Sequence, residues 1–384
     1  MNAIIEQIRE AYEQERAQAR PVREAHEIPF SYELITPEWL TAVLCGGVAG
    51  AKVVSLRLDS ADDGNSNRRR IFIDYNAAGR DGGLPQRVFC KASQGLANRI
   101  SLGPPGAVRA EVEFYRHVRP LLQLEAPHAY HVAYNPRSMN SIVMLGDLGE
   151  QTQFCTHTTD MTRARAEGQM RVLASLHGRF LDEPDLASRF DMLQTWPQFF
   201  GKLDYPDFER ACDAGFGRAE TVIPPRLFAR RSEIWAATRR SALALDALPH
   251  TLAHGDDHLR NWYISGNGAM GLNDWQAITR TNGARDVVYA LTTALPVEHR
   301  RAWERELLAY YAEQLQRVAG HKLQLDYLFD AYRQQLLTVL AFWTITINPA
   351  PGMPDMQPQD VTLEFIRRIA TAIDDLDALD ALAA

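Results

Sequence analysis

The spacing of apolar residues predicts a strand-rich N-terminal part and a helical remainder. From residue 52 onward, apolar and polar residues alternate with a period of two, which is the pattern of half-buried strands. Three such runs occupy residues 53–58, 68–75 and 87–91, and a further apolar run lies at 141–145. The pattern predicts a small antiparallel sheet.

Helical spacing dominates elsewhere. Residues 3–20 form a polar helical pattern, and Thr36-Pro37 supplies an N-cap and a first-turn proline for a short helix. Beyond residue 149, apolar residues recur every three or four positions. The longest runs are at 163–180, 298–318, 332–347 and from 361, with a proline-rich break at 349–358. The combination indicates an α+β protein.

The candidate chemistry is concentrated in residues 251–276. Asn267-Gly268 between two short apolar runs predicts a β-hairpin with a two-residue loop. Counting outward from that loop places Asn261 opposite Asp274, and facing residues have Cβ atoms about 4.5–5.5 Å apart. An amide and a carboxylate oxygen at that separation are suitable ligands for Mg²⁺, which would take further oxygens from phosphate and water.

Asp256 precedes this hairpin in a predicted loop, where a carboxylate can accept a proton from a hydroxyl. An alternative interpretation makes His254, Asp256 and His258 the ligands of one zinc or iron ion. That spacing of two requires an extended strand, whereas Gly255 favours a loop, and the alternative gives Asn261 no role.

Composition and charge limit the classes of partner and the compartment that we expect for this protein. The 384 residues carry a formal net charge of −7, which argues against nucleic-acid binding, and no stretch is long and apolar enough to span a membrane. The 4 cysteines form no Cys-x-x-Cys pair, and the polar N-terminal helix lacks a signal-peptide core, so we expect reduced thiols in the cytoplasm.

The block His254-Gly255-Asp256-Asp257-His258, with Asn261 and then Asp274-Trp275-Gln276, resembles the catalytic block of the aminoglycoside phosphotransferase and choline kinase-like family, especially its ecdysteroid-kinase-like branch. The resemblance implies that Asp256 is the catalytic base. It also implies that Asn261 and Asp274 hold Mg²⁺ on ATP.

The resemblance extends toward the N-terminus. Gly64, Ser66 and Asn67 resemble the phosphate loop of the family. Lys91, in a strand, would pair with Glu111 of the next helix and position the ATP phosphates, with Glu113 as the competing partner. Asp147 would lie in the hinge that contacts adenine. The phosphate loop, the Lys91–Glu111 pair and the hinge together form the predicted nucleotide site.

Two further residues have structural roles in this interpretation. His177 is expected to be a packed core histidine. Asp286 is expected to cap its helix, and the resemblance implies that it also braces the catalytic loop. Aromatic residues within 181–225 are expected to pack, and the resemblance makes them candidates for lining the acceptor site.

The implied fold is a bilobal protein-kinase-like one, with a small antiparallel-sheet N-lobe at residues 1–147, a larger mostly helical C-lobe at 148–384, and ATP between them. The implied activity is ATP- and Mg²⁺-dependent phosphorylation of a hydroxyl group on a small molecule. A nucleotide-binding pseudo-enzyme on the same fold and the histidine-metal hydrolase are the alternatives. The sequence leaves the acceptor open among aminoglycosides, macrolides, choline-like amines, sterols and other alcohols, and it leaves the oligomeric state open.

Overall fold

The structure, a computed structural model, describes residues 2–202, 207–320, 323–349 and 356–382. The chain divides into two compact units. The first contains Met1–Leu121 and Pro127–Gly149, and the second contains Leu122–Ala126 and Glu150–Ala384. Most of the proline-rich break predicted at 349–358, and residues 203–206 of the aromatic segment, lie outside the described residues.

The first unit contains an antiparallel sheet with the strand order β1-β3-β4-β6-β5, and β2 pairs with β3. On β3, Ile71, Ile73 and Tyr75 alternate with more exposed residues, as the period of two predicts. Their buried face packs against Trp39 and Leu40 of a helix on that side of the sheet. The strands are β1 (Val53–Leu58), β2 (Asp62–Asp63), β3 (Asn67–Tyr75), β4 (Arg87–Ala92), β5 (Ala129–Tyr134) and β6 (Ser141–Gly146).

Helices surround this sheet. The Thr36 hydroxyl accepts a hydrogen bond from the Trp39 amide at 3.1 Å and thereby caps α2, so the predicted N-cap is confirmed. The helices are α1 (Asn2–Ala17), α2 (Pro37–Leu44), α3 (Ala77–Asp81), α4 (Leu96–Leu102) and α5 (Ala107–Glu113). A π-helical turn at Phe114–Val118 continues α5.

The second unit is mostly helical. Its helix α14 packs against α9, α11, α12 and α15, while α6 packs along α13. The apolar run predicted to be a buried helix lies in α14, where Leu336, Leu337 and Leu340 are fully buried. The helices are α6 (Arg163–Phe180), α7 (Leu186–Arg189), α8 (Trp196–Lys202), α9 (Phe208–Arg218), α10 (Pro225–Phe228), α11 (Arg231–Asp246), α12 (Ala284–Ala294), α13 (Val297–Ala319), α14 (Leu325–Thr346) and α15 (Gln359–Asp375).

Short strands in the second unit frame the candidate site. Strands β7, β9 and β10 form one antiparallel sheet, and β8 pairs with β11 in another. The segments after β8 and after β10 carry the candidate catalytic and metal-binding residues. The strands are β7 (Gln153–Phe154), β8 (Thr251–Ala253), β9 (Trp262–Ile264), β10 (Met270–Leu272) and β11 (Thr279–Thr281).

The hairpin between β9 and β10 exists, but its predicted register is wrong by one residue. Met270 faces Ile264, and the Ser265 amide donates to Ala269 O at 2.9 Å, so the loop has three residues, 266–268. Gly268 has a left-handed φ of +84°, which is typical of a three-residue loop closed by a bulge. Consequently Asn261 does not face Asp274.

The predicted α+β class, with an antiparallel sheet in the N-terminal unit and a mostly helical C-terminal unit, is confirmed. Among the described helices, none is both long and apolar enough to cross a bilayer. Cys45, Cys90, Cys155 and Cys212 are all buried and unpaired.

Candidate active site

The loop after β8 turns sharply at Gly255. Its φ of +82° lies in the left-handed region, and a Cβ on this residue would be 2.3 Å from Ala277 O. Only glycine fits there without movement of the backbone. The turn explains why His254 and Asp256 do not continue the strand, as the histidine-metal alternative would need.

Two neighbouring residues of α12 hold the peptide groups before Asp256. Asp286 Oδ2 accepts the His254 amide at 2.5 Å, and Oδ1 accepts the Gly255 amide at 3.0 Å. Arg285 Nη1 donates to Gly255 O at 2.5 Å. We call this arrangement the peptide clamp, formed by Arg285 and Asp286.

The clamp rests on a buried chain of side chains. His177 Nε2 lies 3.2 Å from Asp286 Oδ2, and its Nδ1 lies 2.8 Å from the Tyr311 hydroxyl. Although burial favours the neutral acid, the hydrogen bond and charge of His177 lower the pKa of Asp286. His177 is a buried core residue, as predicted. The predicted capping role of Asp286 is wrong, because Gly283 is the N-cap of α12 and the Asp286 side chain is directed to the loop.

Asp256 lies at the exposed end of this arrangement. Its side chain keeps 31% of its surface exposed, and its Oδ1 accepts the Tyr289 hydroxyl at 3.3 Å. Burial and the negative charge of Asp274 raise the pKa of Asp256 to about 7. Burial also raises the pKa of Tyr289 well above its usual value, so its hydroxyl stays a donor.

The two predicted metal ligands lie beside Asp256, although not through the predicted register. Asn261 Nδ2 donates to Asp256 O at 2.6 Å. Asp274 follows β10 in a left-handed conformation with a φ of +63°, and its charge acts on both Asp256 and His258. One amide oxygen and one carboxylate are hard ligands that suit Mg²⁺ when phosphate and water complete the shell.

The geometry argues against the histidine-metal alternative. His254 Nε2 is 2.9 Å from Asn273 O, and its Nδ1 accepts the Asp256 amide at 3.2 Å, so both ring nitrogens are engaged. Burial lowers the pKa of His258 to about 3, and its Nε2 stands 3.8 Å from Asp256 Oδ2. Over the described ranges, no three His, Cys, Asp or Glu side chains converge as a metal site would need.

In the first unit, Lys91 on β4 contacts the earlier of its two candidate partners. Its Nζ lies 3.0 Å from Glu111 Oε1, and both side chains are buried. Glu113 instead faces His117 and Arg116, at 3.3 and 3.8 Å. The ammonium is therefore fixed by α5, as the order of strand and helix predicts.

The predicted phosphate loop is a tight turn between β2 and β3. The Gly64 amide donates to Ser66 O at 3.0 Å, and Ser66 is buried. Asn67 Oδ1 accepts the amides of Gln94 and Gly95 at 2.9 and 3.2 Å. The Asn67 side chain thus ties the loop to the segment that follows β4.

The carboxylate of Asp147, the predicted hinge residue, is already engaged. Arg70 Nε and Arg87 Nε each lie 3.1 Å from its Oδ2, and the Gly149 amide donates to its Oδ1 at 3.1 Å. Any contact of this residue with a nucleotide would therefore use its backbone groups.

Sequence reasoning missed Arg285 and Tyr289. Both lie on one face of α12, four residues apart, and both point toward the catalytic loop. The helical period that places Asp286 near the loop could have identified them. The aromatic segment contributes Trp196, Phe199 and Phe200 to a packed cluster with Phe342.

Residues 225–325, which contain the catalytic loop, the hairpin and the clamp, match the model of the ecdysteroid kinase-like family. The similarity to that family applies to this segment. The family resemblance expected from the catalytic block is therefore confirmed. No curated protein matches the chain in a sequence search.

The chain is similar to several solved structures. A proposed aminoglycoside phosphotransferase from Ralstonia eutropha superposes with a TM-score of 0.51 at 12% identity, over 90% of this chain and 96% of the other. Spectinomycin phosphotransferase, solved with ADP and spectinomycin, gives 0.49 at 11% identity over 89% and 97%. Choline kinase LicA from Streptococcus pneumoniae gives 0.47 at 13% identity over 84% and 94%. The superposition on the Ralstonia eutropha structure supports the predicted protein-kinase-like fold.

Proposed function

We propose that this protein is an ATP- and Mg²⁺-dependent phosphotransferase that phosphorylates a hydroxyl group of a small molecule. The observation that carries the proposal is the position of Asp256, whose accessible carboxylate follows the backbone held by the peptide clamp and is bordered by Asn261 and Asp274. The match of this segment to a kinase-like family supports the same reaction class.

Asp256 would accept the proton of the acceptor hydroxyl. The role requires a carboxylate that a small molecule can reach, and 31% of this side chain is exposed. The Tyr289 hydroxyl and the Asn261 amide would fix the orientation of the carboxylate, since both donate to it or to its backbone.

Asn261 and Asp274 would hold Mg²⁺, with the remaining ligands supplied by ATP and water. When bound, the metal neutralises charge on the transferred phosphoryl group. Lys91, fixed by Glu111, would contact the ATP phosphates, and the loop of Gly64, Ser66 and Asn67 would lie over them. The Asp147 backbone would contact adenine.

The acceptor would be a hydroxylated small molecule and not a nucleic acid, because the net charge of −7 gives no basic footprint for nucleic acid. The buried, unpaired thiols support a reducing compartment, for which we propose the cytoplasm.

A phosphotransfer screen tests the proposal. Purified protein is incubated with Mg²⁺-ATP and a panel of aminoglycosides, macrolides, amino alcohols and sterols, and products are detected by a mass gain of one phosphoryl group. We expect one class to be phosphorylated by wild type and not by Asp256→Asn, with similar ATP affinity in both proteins because Asp256 acts on the acceptor.

The Asp256→Asn variant also serves as the control for contaminating kinases. Equal turnover in the two proteins would remove Asp256 from the role of base. Nucleotide binding with neither phosphorylation of an acceptor nor hydrolysis of ATP would favour the pseudo-enzyme alternative.

A further inference from the structure

The N-terminal helix α1 is attached to the first unit through a buried charge. Arg99 of α4 is fully buried, and its Nη1 lies 2.6 Å from Glu15 Oε2 near the end of α1. Asn135 Nδ2 donates to the other oxygen of Glu15 at 3.3 Å. A single carboxylate from α1 thus neutralises a guanidinium that water does not reach.

Aromatic residues enclose the same guanidinium. The Arg99 Cζ lies 4.9 Å from the centroid of the Tyr12 ring, also on α1, and 5.4 Å from that of Phe30. The two rings are 5.2 Å apart. Cation–π contacts of this kind are strongest where the cation is desolvated, as it is here. Helix α1 therefore provides both the counter-charge and part of the enclosure.

Helix α4 connects this buried charge to the predicted phosphate loop. Arg99 Nε donates to Gln94 O at 3.0 Å. The neighbouring Asn98 donates through Nδ2 to Gly64 O and Asn65 O, both at 2.8 Å. Asn67 of the same loop accepts the Gln94 amide through its Oδ1 at 2.9 Å. One short helix thus contacts both α1 and the loop.

We propose that α1 positions the phosphate loop, with Glu15 acting through Arg99 and Asn98 as a positioning residue for nucleotide binding. The inference rests on the proposed function and assigns a role to the polar N-terminal helix, which the catalytic residues leave unexplained. Loss of the Glu15 charge would leave the Arg99 guanidinium buried without a counter-charge, which proteins tolerate poorly. Helix α4 would shift to hydrate the guanidinium, and the loop carbonyls held by Asn98 would move with it.

The test compares Glu15→Gln with Glu13→Gln in the full-length chain. Glu13 is the matched control, because it pairs with Arg16 at 2.6 Å on the exposed face of the same helix. Calorimetry with Mg²⁺-ADP and steady-state kinetics with Mg²⁺-ATP give the affinity, KM and kcat. For Glu15→Gln we expect Kd and the KM for ATP to rise about tenfold, a change of about 1.4 kcal/mol, with kcat nearly unchanged. Glu13→Gln should match wild type.

Asn98→Ala provides a second variant that removes the contacts to the loop without touching α1. It should raise the KM for ATP similarly, and its combination with Glu15→Gln should be less than additive, since both act on one connection. If Glu15→Gln fails to fold, Arg99→Lys replaces it and should show the same split between KM and kcat. Wild-type nucleotide affinity in folded Glu15→Gln or Arg99→Lys would overturn the role of α1. Wild-type protein that binds neither ADP nor ATP would overturn the proposed function as well.

Discussion

At the scale of single residues, the candidate catalytic loop lies among ionisable side chains that water does not reach. Arg285 and Asp257 are both buried, and the Asp257 carboxylate oxygens and two of the Arg285 nitrogens have no hydrogen-bond partner among the described residues. Arg285 lies over the Trp196 ring at 3.8 Å from its centroid. The Arg285 guanidinium donates a hydrogen bond to Gly255 O and thereby holds the loop. The Asp257 carboxylate, by contrast, is a cost to stability that its neutralisation would relieve.

The stability of the protein should therefore depend on pH through Asp257. Burial and the nearby Asp286 raise the pKa of Asp257 well above its usual value. The folded state then binds a proton that the unfolded state has already released, so the free energy of unfolding falls as pH rises from about 4 toward the folded pKa. The slope from one group is at most about 1.4 kcal/mol per pH unit.

Asp257→Asn should remove that slope. Urea unfolding of wild type and variant across this pH range measures the slope. The free energy of unfolding of the variant should increase relative to that of wild type as the pH increases. Curves that remain parallel would show that Asp257 titrates alike in both states.

The contacts of Lys91 predict which glutamate matters for nucleotide binding. Glu111→Gln should weaken Mg²⁺-ADP binding because it releases the Lys91 ammonium, and Lys91→Ala should weaken it more. Glu113→Gln is the control, since Glu113 faces His117 and Arg116 instead. Calorimetry of the three variants checks the order. A defect in Glu113→Gln with none in Glu111→Gln would contradict the observed pairing.

At the scale of elements, the two turns flanking the site use glycine in different ways. Gly255 and Gly268 have nearly the same left-handed φ, +82° and +84°. A Cβ at Gly268 would meet nothing within 4 Å, whereas one at Gly255 would collide with the Ala277 carbonyl. The turn at Gly268 requires glycine only for its backbone angles, whereas the turn at Gly255 requires it also for packing against Ala277.

The pair Gly268→Ala and Gly255→Ala separates these two requirements. Gly268→Ala should cost about 1–2 kcal/mol of unfolding free energy, which is the usual penalty for an L-residue in this region. Gly255→Ala should cost distinctly more and should also lower kcat, because the collision displaces the peptide that Asp286 holds. Urea unfolding and the phosphotransfer assay measure the two effects. Equal costs would show that the loop moves away from Ala277 without penalty.

At the scale of the whole molecule, the candidate chemistry is divided between the two units. The first contains Lys91 with Glu111 and the phosphate loop, and the second contains Asp256, Asn261 and Asp274. Neither set is sufficient for the proposed reaction, since one would bind phosphates and the other metal and acceptor. Nucleotide and metal should therefore stabilise the protein together more than either does alone.

A thermal-shift experiment tests this dependence. At a hundredfold excess over its Kd, Mg²⁺-ATP should add about 2.7 kcal/mol to the folded state. For a chain of this size each kcal/mol raises Tm by about 2–4 °C or less. Asp274→Ala should erase the Mg²⁺-dependent part of the rise and remain folded. A wild-type rise with Zn²⁺ alone, and none with Mg²⁺-ATP, would contradict the kinase interpretation and favour the histidine-metal one.

The sequence by itself determined the structural features that depend on residues close together in the chain. The period of two predicts the sheet, the helical period predicts the buried run in α14, and Thr36-Pro37 predicts the cap of α2, because each signal acts within a few residues. The candidate catalytic block was likewise recognisable from its residue types, since Asp256, Asn261 and Asp274 lie within one short segment.

Only the tertiary structure decided which partner each group takes. Arg70 of β3 and Arg87 of β4 form ion pairs with the Asp147 carboxylate. The Asp286 side chain accepts a hydrogen bond from the loop after β8 and does not cap its own helix. Glu15 of α1 forms an ion pair with Arg99, which is remote in the sequence. The predicted hairpin register was wrong because the left-handed Gly268 closes a three-residue loop. Asn-Gly alone does not distinguish such a loop from a two-residue one. Partner choice follows burial and distance between remote segments, and local patterns carry no information about either.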